Sequence, residues 1–338
     1  MITTAIHSLM NKEALSFETA NEVMNEIMDG KATNAQISSY LTALRMKGES
    51  IDEITASAAA MRSHCTKLIP ETDVLDIVGT GGDEAYTFNI STVSAIVISA
   101  AGVPVAKHGN RSVSSKCGSA DLLDALGVKL DLTAEQSAQI LKKIGLCFLF
   151  AQTYHASMKY AAPVRRELGI RTIFNILGPL ANPAGANLQL LGVYDEDLVE
   201  SLANVLMNLG VKRAMVVHGH DGLDEISLCD STTVCEVKDG KLNRFILDPA
   251  QFGFEKCKPE ELIGGDPQEN AKIALDILSG KKGAKRDVVL LNSAVCLYMA
   301  NDSRTLQDCV KLAADTIDSG KAMEQLNQFI RLSHEADA

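Results

Sequence analysis

The chain has 338 residues, 46% of them hydrophobic and 22% charged, enough for two domains or one large α/β domain with an appendage. Its 43 acidic and 32 basic side chains give a net charge of -11, which argues against a general nucleic-acid or anionic-membrane binder and requires any anionic ligand to be captured by a local site. Trp is absent and aromatics are 4%, so base-stacking platforms are not expected, and the 8 cysteines include no CxxC pair and read as reduced, mostly buried thiols.

The first seventeen residues carry no basic segment followed by an apolar core, so no signal peptide is expected. The longest apolar stretch, 93–106, is interrupted by Ser94, Ser99, Gly102 and Pro104 and falls short of the roughly 20 residues of a membrane span. A cytoplasmic protein is the expectation.

The first 70 residues read as helices. Asn34 is expected to cap a helix with Ile37, Tyr40, Leu41 and Leu44 on one face, ending near Gly48. Ser50 and Glu53 have capping-box spacing ahead of Ile51, Ile54, Ala58, Met61 and Cys65. Pro70 ends a small helical domain, 1–69. The pattern then changes. A short apolar run at 74–78 reads as a buried strand, 92–101 as an apolar helix closed by Gly102, and 103–106 as the next strand. A helix over 122–126 is expected, capped by Ser119 and closed by Gly127, and Thr133 with Gln136 forms another capping box. Further strands are expected at 147–151, 188–193, 214–218 and 233–237. Strands alternating with helices imply βαβ units and a mostly parallel central sheet flanked by helices, so the large α/β domain is taken as 70–338. The stretch 162–183 instead shows two helical patterns, split at Gly169 and stopped by Gly178-Pro179. It is expected to complete the helical domain, over about 160–184, leaving a cleft beside the sheet. Gly81-Gly82-Asp83 recurs as Gly264-Gly265-Asp266, read as chance or turn chemistry.

Four segments can carry chemistry. Gly79-Thr80-Gly81-Gly82-Asp83 follows a strand and precedes a helix opening at Asn89-Ile90-Ser91-Thr92. Glycines let backbone N–H groups approach a phosphate, and the helix end adds free donors and partial positive charge. Glu84 occupies the sixth position, so this is not the dinucleotide fingerprint, and no GxxxxGK[ST] loop exists. The second segment, Lys107 to Lys116, has three basic residues, no acidic one, and small hydroxyl and glycine residues between them. On neighbouring strand ends the two loops would form an extended polyphosphate site. In the third, HGHDGLDE (218–225), a histidine-rich transition-metal site is one reading. The adjacent carboxylates Asp224 and Glu225 suit Mg²⁺ better, since it takes oxygen ligands and bridges carboxylates to phosphates. The fourth is Arg165-Arg166-Glu167 with Arg171 nearby, whose guanidinium forks match carboxylates. Ordinary turns, caps and surface ion pairs are the alternative for each.

At these residues the chain resembles the anthranilate phosphoribosyltransferases of tryptophan biosynthesis. The matching strings are GTGGD (79–83), TFNIST (87–92), KHGNRSVSSKCGSADLLDALG (107–127), APVRRELGIRTIFNILGPLANPA (162–184) and HGHDGLDEIS (218–227), in the family's order, with GGDPQENAKIALDILSG near the end. The resemblance implies a nucleoside-phosphorylase-like two-domain α/β fold. It implies a homodimer that transfers the phosphoribosyl group of 5-phosphoribosyl 1-diphosphate (PRPP) to the amine of anthranilate, and it leaves association with an anthranilate synthase open. Carried over by position, Gly79, Gly82, Asp83, Thr87, Asn89, Ile90, Ser91, Thr92, Lys107 and Ser119 would hold PRPP, with His108, Gly109, Asn110, Arg111, Ser112, Val113, Ser114 and Ser115. Ser91, Asp224 and Glu225 would bind Mg²⁺, while Gly79, Asn110 and Arg165 would contact anthranilate. His108 and Pro179 would line the aromatic-acid channel, and Lys107, Arg165 and His108 would be the catalytic set. Ala156-Ser157-Met158, Tyr86 and Glu84 depart from the family pattern. The rival readings are a pyrimidine nucleoside phosphorylase and a non-enzymatic nucleic-acid-binding paralogue, which the Arg165 block, the DGLDE carboxylates and the acidic charge disfavour.

Overall fold

The computed structural model describes residues 1–112 and 115–335. Four helices come first: α1 (Ile2–Met10), α2 (Phe17–Met28), α3 (Asn34–Lys47) and α4 (Ile51–His64). Ser50 and Glu53 form the capping box of α4. At α3 the cap is Thr33 rather than Asn34. The Thr33 hydroxyl accepts from the Gln36 N–H, and the Gln36 side chain accepts from the Thr33 N–H, so two free donors are satisfied reciprocally and Asn34 becomes the first helical residue.

The alternation that follows is β1 (Leu75–Gly79), α5 (Ile90–Ala100), β2 (Val105–Gly109), α6 (Ser119–Ala125), α7 (Ala134–Ile144) and β3 (Leu146–Phe150). β2 begins after Pro104, which has no N–H to give a ladder. Gly118, not Ser119, caps α6, its N–H donating to the Asp121 carboxylate at 2.9 Å. Next come α8 (Ala151–Tyr154), α9 (Ala162–Leu168) and α10 (Phe174–Leu180). Gly178-Pro179 lies inside α10 instead of stopping it. The buried Phe174, Ile176, Leu177 and Leu180 hold its last turn despite the donor lost at Pro179.

The remaining elements are β4 (Leu188–Gly192), α11 (Leu198–Asn208), β5 (Arg213–Gly219), β6 (Thr232–Lys238), β7 (Lys241–Leu247), α12 (Pro267–Leu278), α13 (Ala284–Met299), α14 (Leu306–Asp318) and α15 (Lys321–Glu335). They form a mixed seven-stranded sheet in the order β3-β2-β1-β4-β5-β6-β7. The parallel expectation holds from β3 across to β5. It fails at β6 and β7, which add an antiparallel meander. β7 has no apolar run to mark it, because Lys241, Asn243 and Arg244 point to solvent on an edge strand.

Helices cover both faces. One core packs α5, α13, α14 and α15 on the sheet. The other joins α1–α4 to α11 and to Val164, Phe174, Leu177 and Leu180 of α9 and α10. Arg62 on α4 ties this return segment down by donating to the Leu180 carbonyl at 2.7 Å. Among the described residues no helix is long and apolar enough to cross a membrane.

Candidate active site

From β1 the chain runs outward to β2 and β3 on one side of the sheet, and from β4 to β5 on the other. The carboxyl ends of β1 and β4 therefore flank a topological switch point, where open α/β sheets form ligand crevices. Gly79 and Gly192 end these strands in register. Asp224 lies directly over both. A Cβ on Gly79 would sit 2.3 Å from Asp224 Oδ2, and one on Gly192 would sit 1.6 Å from the Asp224 carbonyl oxygen. Glycine at both strand ends is what lets the carboxylate loop descend into the crevice.

Backbone donors then fix the two carboxylates. The Gly81 N–H donates to Asp224 Oδ2 at 2.6 Å, and the Ser91 N–H at the start of α5 donates to Glu225 Oε1 at 3.1 Å. Gly81 and Gly82 reach this geometry at φ of 69° and 78°, in the left-handed region. From below, the buried Asn292 of α13 donates to the Ile226 carbonyl at 2.9 Å and accepts from the Ile226 N–H at 3.0 Å. Two neighbouring motifs, 79–83 and 89–92, thus meet a third more than 130 residues further along the chain, 224–225, at one point.

Charge is concentrated there. Burial pushes the Asp224 pKa well above the usual carboxylate range, and Asp83 and Glu225 push it further. Burial raises Glu225 to about 7, against the opposing pull of Lys107. Lys107 is buried on β2, and its Nζ donates to the Ile77 carbonyl at 2.6 Å. Burial lowers its pKa, while Asp76 and Glu225 favour the charged form. Asp76, wholly enclosed on β1, is raised to about 6 by burial. Its carboxylate accepts from the His108 N–H at 3.2 Å and from Asn182 Nδ2 at 2.7 Å.

Asp224, Glu225 and the hydroxyl-bearing Ser91 form an all-oxygen donor set, in which buried like charges favour a proton or a cation. That suits Mg²⁺, which binds through one or two carboxylates together with substrate phosphates. Among the described residues no three His, Cys, Asp or Glu side chains are grouped so that they could hold a metal ion by themselves. For the histidine-rich alternative, no group of three or more His, Cys, Asp or Glu side chains that could hold a metal ion includes His218 or His220 among the described residues. A His218 ring nitrogen pairs with the Val193 carbonyl at 2.8 Å, and one of His220 with the Thr233 hydroxyl at 2.9 Å.

The second loop lies beside the first. Asn89 does not cap α5. Its Nδ2 donates to the Cys117 carbonyl at 3.0 Å, joining the two loops. Ile90 and Thr92 are buried in the first turn of α5. Ser119 Oγ donates to the Asn110 carbonyl at 3.2 Å, and Gly109 lacks the Cβ that would strike that hydroxyl. The Asn110 side chain accepts from the Arg111 N–H. Arg111 is exposed and spends its guanidinium on Asp121 and Asp124, at 2.8 and 3.1 Å. The Ser112 N–H also donates to Asp121, and the Ser112 and Ser115 hydroxyls lie 3.0 Å apart. Val113 and Ser114 lie outside the described residues.

Across the crevice, the return segment supplies the remaining groups. Arg171 donates to the Gly82 carbonyl and stacks 4.0 Å from the Tyr194 ring. Arg165 is largely buried, with its guanidinium 5.2 Å from the Phe174 ring and no carboxylate or carbonyl partner among the described residues. Burial lowers its pKa. His108 and His155 stand with ring centroids 5.1 Å apart. They bond to the carbonyls of Gly178 and Ala181, next to the buried Pro179, and the Nε2 of each is buried without a partner among the described residues. Burial drives His108 to about 3 and His155 to about 4, so both are neutral at pH 7.

Sequence reasoning missed Asp76 and Asn292, single polar residues in apolar strings, and Asn182, which lies in the 162–184 string but was not singled out there. It also set aside Gly264-Gly265-Asp266. Asp266 does cap α12. The segment before it, however, pairs with the first loop: the Phe88 N–H donates to the Leu262 carbonyl, the Gly264 N–H donates to the Tyr86 carbonyl, and Thr87 bridges Ile263. Tyr86 and Glu84 hold φ of 53° and 58°, uncommon for residues other than glycine. A cavity of about 330 Å³ opens between this segment, Thr87, Ser115 and Lys116.

The glycosyl transferase family models match two parts of the chain: the helical bundle domain at residues 3–65 and the a/b domain at residues 71–323. The chain is 70% identical to the anthranilate phosphoribosyltransferase of Ruminiclostridium cellulolyticum, over 99% of this chain and 98% of that one. It superposes on the Thermus thermophilus anthranilate phosphoribosyltransferase with a TM-score of 0.93 at 41% identity, covering 98% and 99% of the two chains. The Saccharomyces cerevisiae enzyme in complex with PRPP and Mg matches with a TM-score of 0.91 at 30% identity, over 99% and 98%. The yeast enzyme has also been solved in complex with 4-fluoroanthranilate.

Proposed function

The chain belongs to the anthranilate phosphoribosyltransferases of the glycosyl transferase family, and from that membership we propose how its own residues carry the reaction. The protein transfers the phosphoribosyl group of PRPP to the amine of anthranilate, giving N-(5-phosphoribosyl)anthranilate and pyrophosphate in tryptophan biosynthesis. The observation that supports the residue assignment best is the meeting of Gly81, Ser91, Asp224 and Glu225 at the end of β1.

PRPP lies across the ends of β1 and β2, its diphosphate over the 79–83 loop and the start of α5. Gly79, Gly82, Asp83, Thr87, Asn89, Ser91 and Thr92 line one side, with Lys107 to Ser112, Ser115 and Ser119 on the other. Ser91, Asp224 and Glu225 hold Mg²⁺, which supplies positive charge to the leaving pyrophosphate. Lys107 acts from beneath as a buried amine, whose charged form Asp76 and Glu225 favour against the effect of burial. Displacement at the ribose C1 passes through an oxocarbenium-like state, because the ring oxygen shares the positive charge while the C1–O bond to pyrophosphate breaks. Preorganised backbone donors favour the negative charge that develops on the leaving group.

Anthranilate enters between the return segment and the sheet. Arg165 has an uncommitted fork and takes the carboxylate, with Asn110 and the Gly79 backbone beside the ring. The neutral aromatic amine carries its own lone pair, so its orientation toward C1 is the main requirement. His108 presents an unprotonated Nε2 and accepts a hydrogen bond from the amine. A pKa of about 3 makes it an acceptor and not the residue that keeps the proton, which leaves with pyrophosphate as its oxygens gain charge. Closure of the helical unit, 1–69 with about 160–184, onto the 70–338 unit excludes water from PRPP. The N-terminal helices expose Met1, Met10, Phe17 and Met46, apolar surface that a second copy in a cytoplasmic homodimer would cover.

Loss of anthranilate fluorescence on adding PRPP, measured with and without Mg²⁺, tests the assignment. Mg²⁺-dependent loss is expected. Phosphorolysis of thymidine or uridine in its place would favour a nucleoside phosphorylase.

A further inference from the structure

Two cysteines outside the substrate crevice face each other. Cys229 Sγ and Cys257 Sγ lie 3.4 Å apart, although 28 residues separate them in sequence. Both thiols are free and half-buried, whereas Cys117, Cys147, Cys235, Cys296 and Cys309 are buried. Their backbones are already paired, the Cys257 N–H donating to the Leu228 carbonyl. A disulfide holds its sulfurs about 2.05 Å apart, so bond formation needs a closure of roughly 1.4 Å by two side chains.

Their position gives the pair a consequence. Cys229 follows Asp224 by five residues and Glu225 by four, on the loop that Asn292 clamps. Cys257 begins the segment that runs through Leu262, Ile263 and Gly264 to its pairing with Tyr86, Thr87 and Phe88. This strap walls the cavity beside Ser115 and Lys116 and is anchored by Lys285, whose Nζ donates to the Glu261 and Ile263 carbonyls at 2.7 Å. A covalent link between Cys229 and Cys257 would fasten the strap to the carboxylate loop and couple the two walls of the crevice.

We propose that Cys229 and Cys257 are a redox-sensitive dithiol, oxidised by peroxides to a disulfide that restricts the strap and weakens PRPP binding. Either sulfur can donate in this contact, and burial raises the pKa of both thiols, so the thiolate that reacts is the minor form of each. The Cys257 thiolate attacks an oxygen of hydrogen peroxide, the O–O bond breaks, a sulfenic acid forms, and the departing hydroxide takes up the proton the thiol had lost and leaves as water. Cys229 then attacks that sulfur, the S–O bond breaks, and a second water leaves. Two sulfurs supply the two electrons that reduce the peroxide, and a dithiol reductant reverses the change.

The effect on PRPP rests on the crevice assignment above, whereas the disulfide itself is read by mass. The full-length protein is treated with hydrogen peroxide, quenched, alkylated and digested, and its kinetics are measured before and after. The expected result is a 2 Da loss, a Cys229–Cys257 cross-linked peptide, and a PRPP KM raised about fivefold or more with the anthranilate KM unchanged. Dithiothreitol reverses all three. Cys229→Ser and Cys257→Ser each keep basal activity and lose the peroxide response. Oxidation confined to sulfinic acids or to Cys65, or a cross-link with an unchanged PRPP KM, overturns the proposal. A wrong PRPP site would show differently, as reduced enzyme that fails to saturate with PRPP while the cross-link still forms.

Discussion

The approach of Asp224 to the end of β4 can be tested with one methyl group. In Gly192→Ala the new Cβ would lie 1.6 Å from the Asp224 carbonyl oxygen and 2.3 Å from its carbonyl carbon. Ordinary contact begins at 3.4 Å, so the loop backbone must retreat by about 1.8 Å. It cannot do so freely, because Gly81 holds the Asp224 carboxylate and Asn292 holds Ile226. Overpacking of this kind costs about 1–3 kcal/mol of stability. The functional cost is of similar size, since a displacement of about 1 Å at a reacting centre lowers rates roughly 100-fold, equivalent to about 2.7 kcal/mol. The expected outcome is a folded protein whose kcat/KM for PRPP falls at least ~100-fold and whose Mg²⁺ requirement shifts to higher concentration. Anthranilate fluorescence followed across a Mg²⁺ series measures it, with circular dichroism confirming the fold. Activity within about threefold of the parent would refute the placement of Asp224 in the site.

Other perturbations probe separate parts. Arg165→Ala should raise the anthranilate KM about tenfold or more and leave that of PRPP nearly unchanged, because the guanidinium has no other anionic partner among the described residues. Steady-state kinetics in both substrates decide this, and equal effects would remove Arg165 from the acceptor pocket. Asp224→Asn combined with Glu225→Gln should abolish Mg²⁺-dependent turnover, and near-normal rates at limiting Mg²⁺ would exclude these carboxylates as the metal site. Glu225 also gives a signed pH effect. Burial raises its folded pKa from 4.5 to about 7, so without Mg²⁺ the folded state binds the proton more tightly between those values. The stability of the parent relative to Glu225→Gln should fall as pH rises from about 5 to about 7 and then level off, by urea denaturation. A difference independent of pH would show that Glu225 is not enclosed. Asn292→Ala strands the buried N–H and carbonyl of Ile226, which should cost about 2–4 kcal/mol in the same assay and raise the PRPP KM. An unchanged KM would confine Asn292 to a packing role.

Local rules were enough for the elements whose signals are local. Thr133 with Gln136 and Ser50 with Glu53 cap their helices through bonds spanning three residues, and the apolar runs before Gly79 and Gly192 are strands because both their faces are covered. The glycine turn, the basic loop and the DGLDE carboxylates were legible for a related reason, since each concentrates one kind of chemistry within a few residues. Tertiary structure alone decided what these pieces do together. Strand order brought Gly79 beside Gly192, and that pairing made room for a carboxylate some thirty residues further on. Packing alone turned Gly264 toward Tyr86, placed Asn292 beneath Ile226 and set Cys229 against Cys257. A hydrogen bond or thiol contact between distant residues leaves no periodicity in the chain, because each partner is a single polar residue whose meaning depends on what folding brings against it.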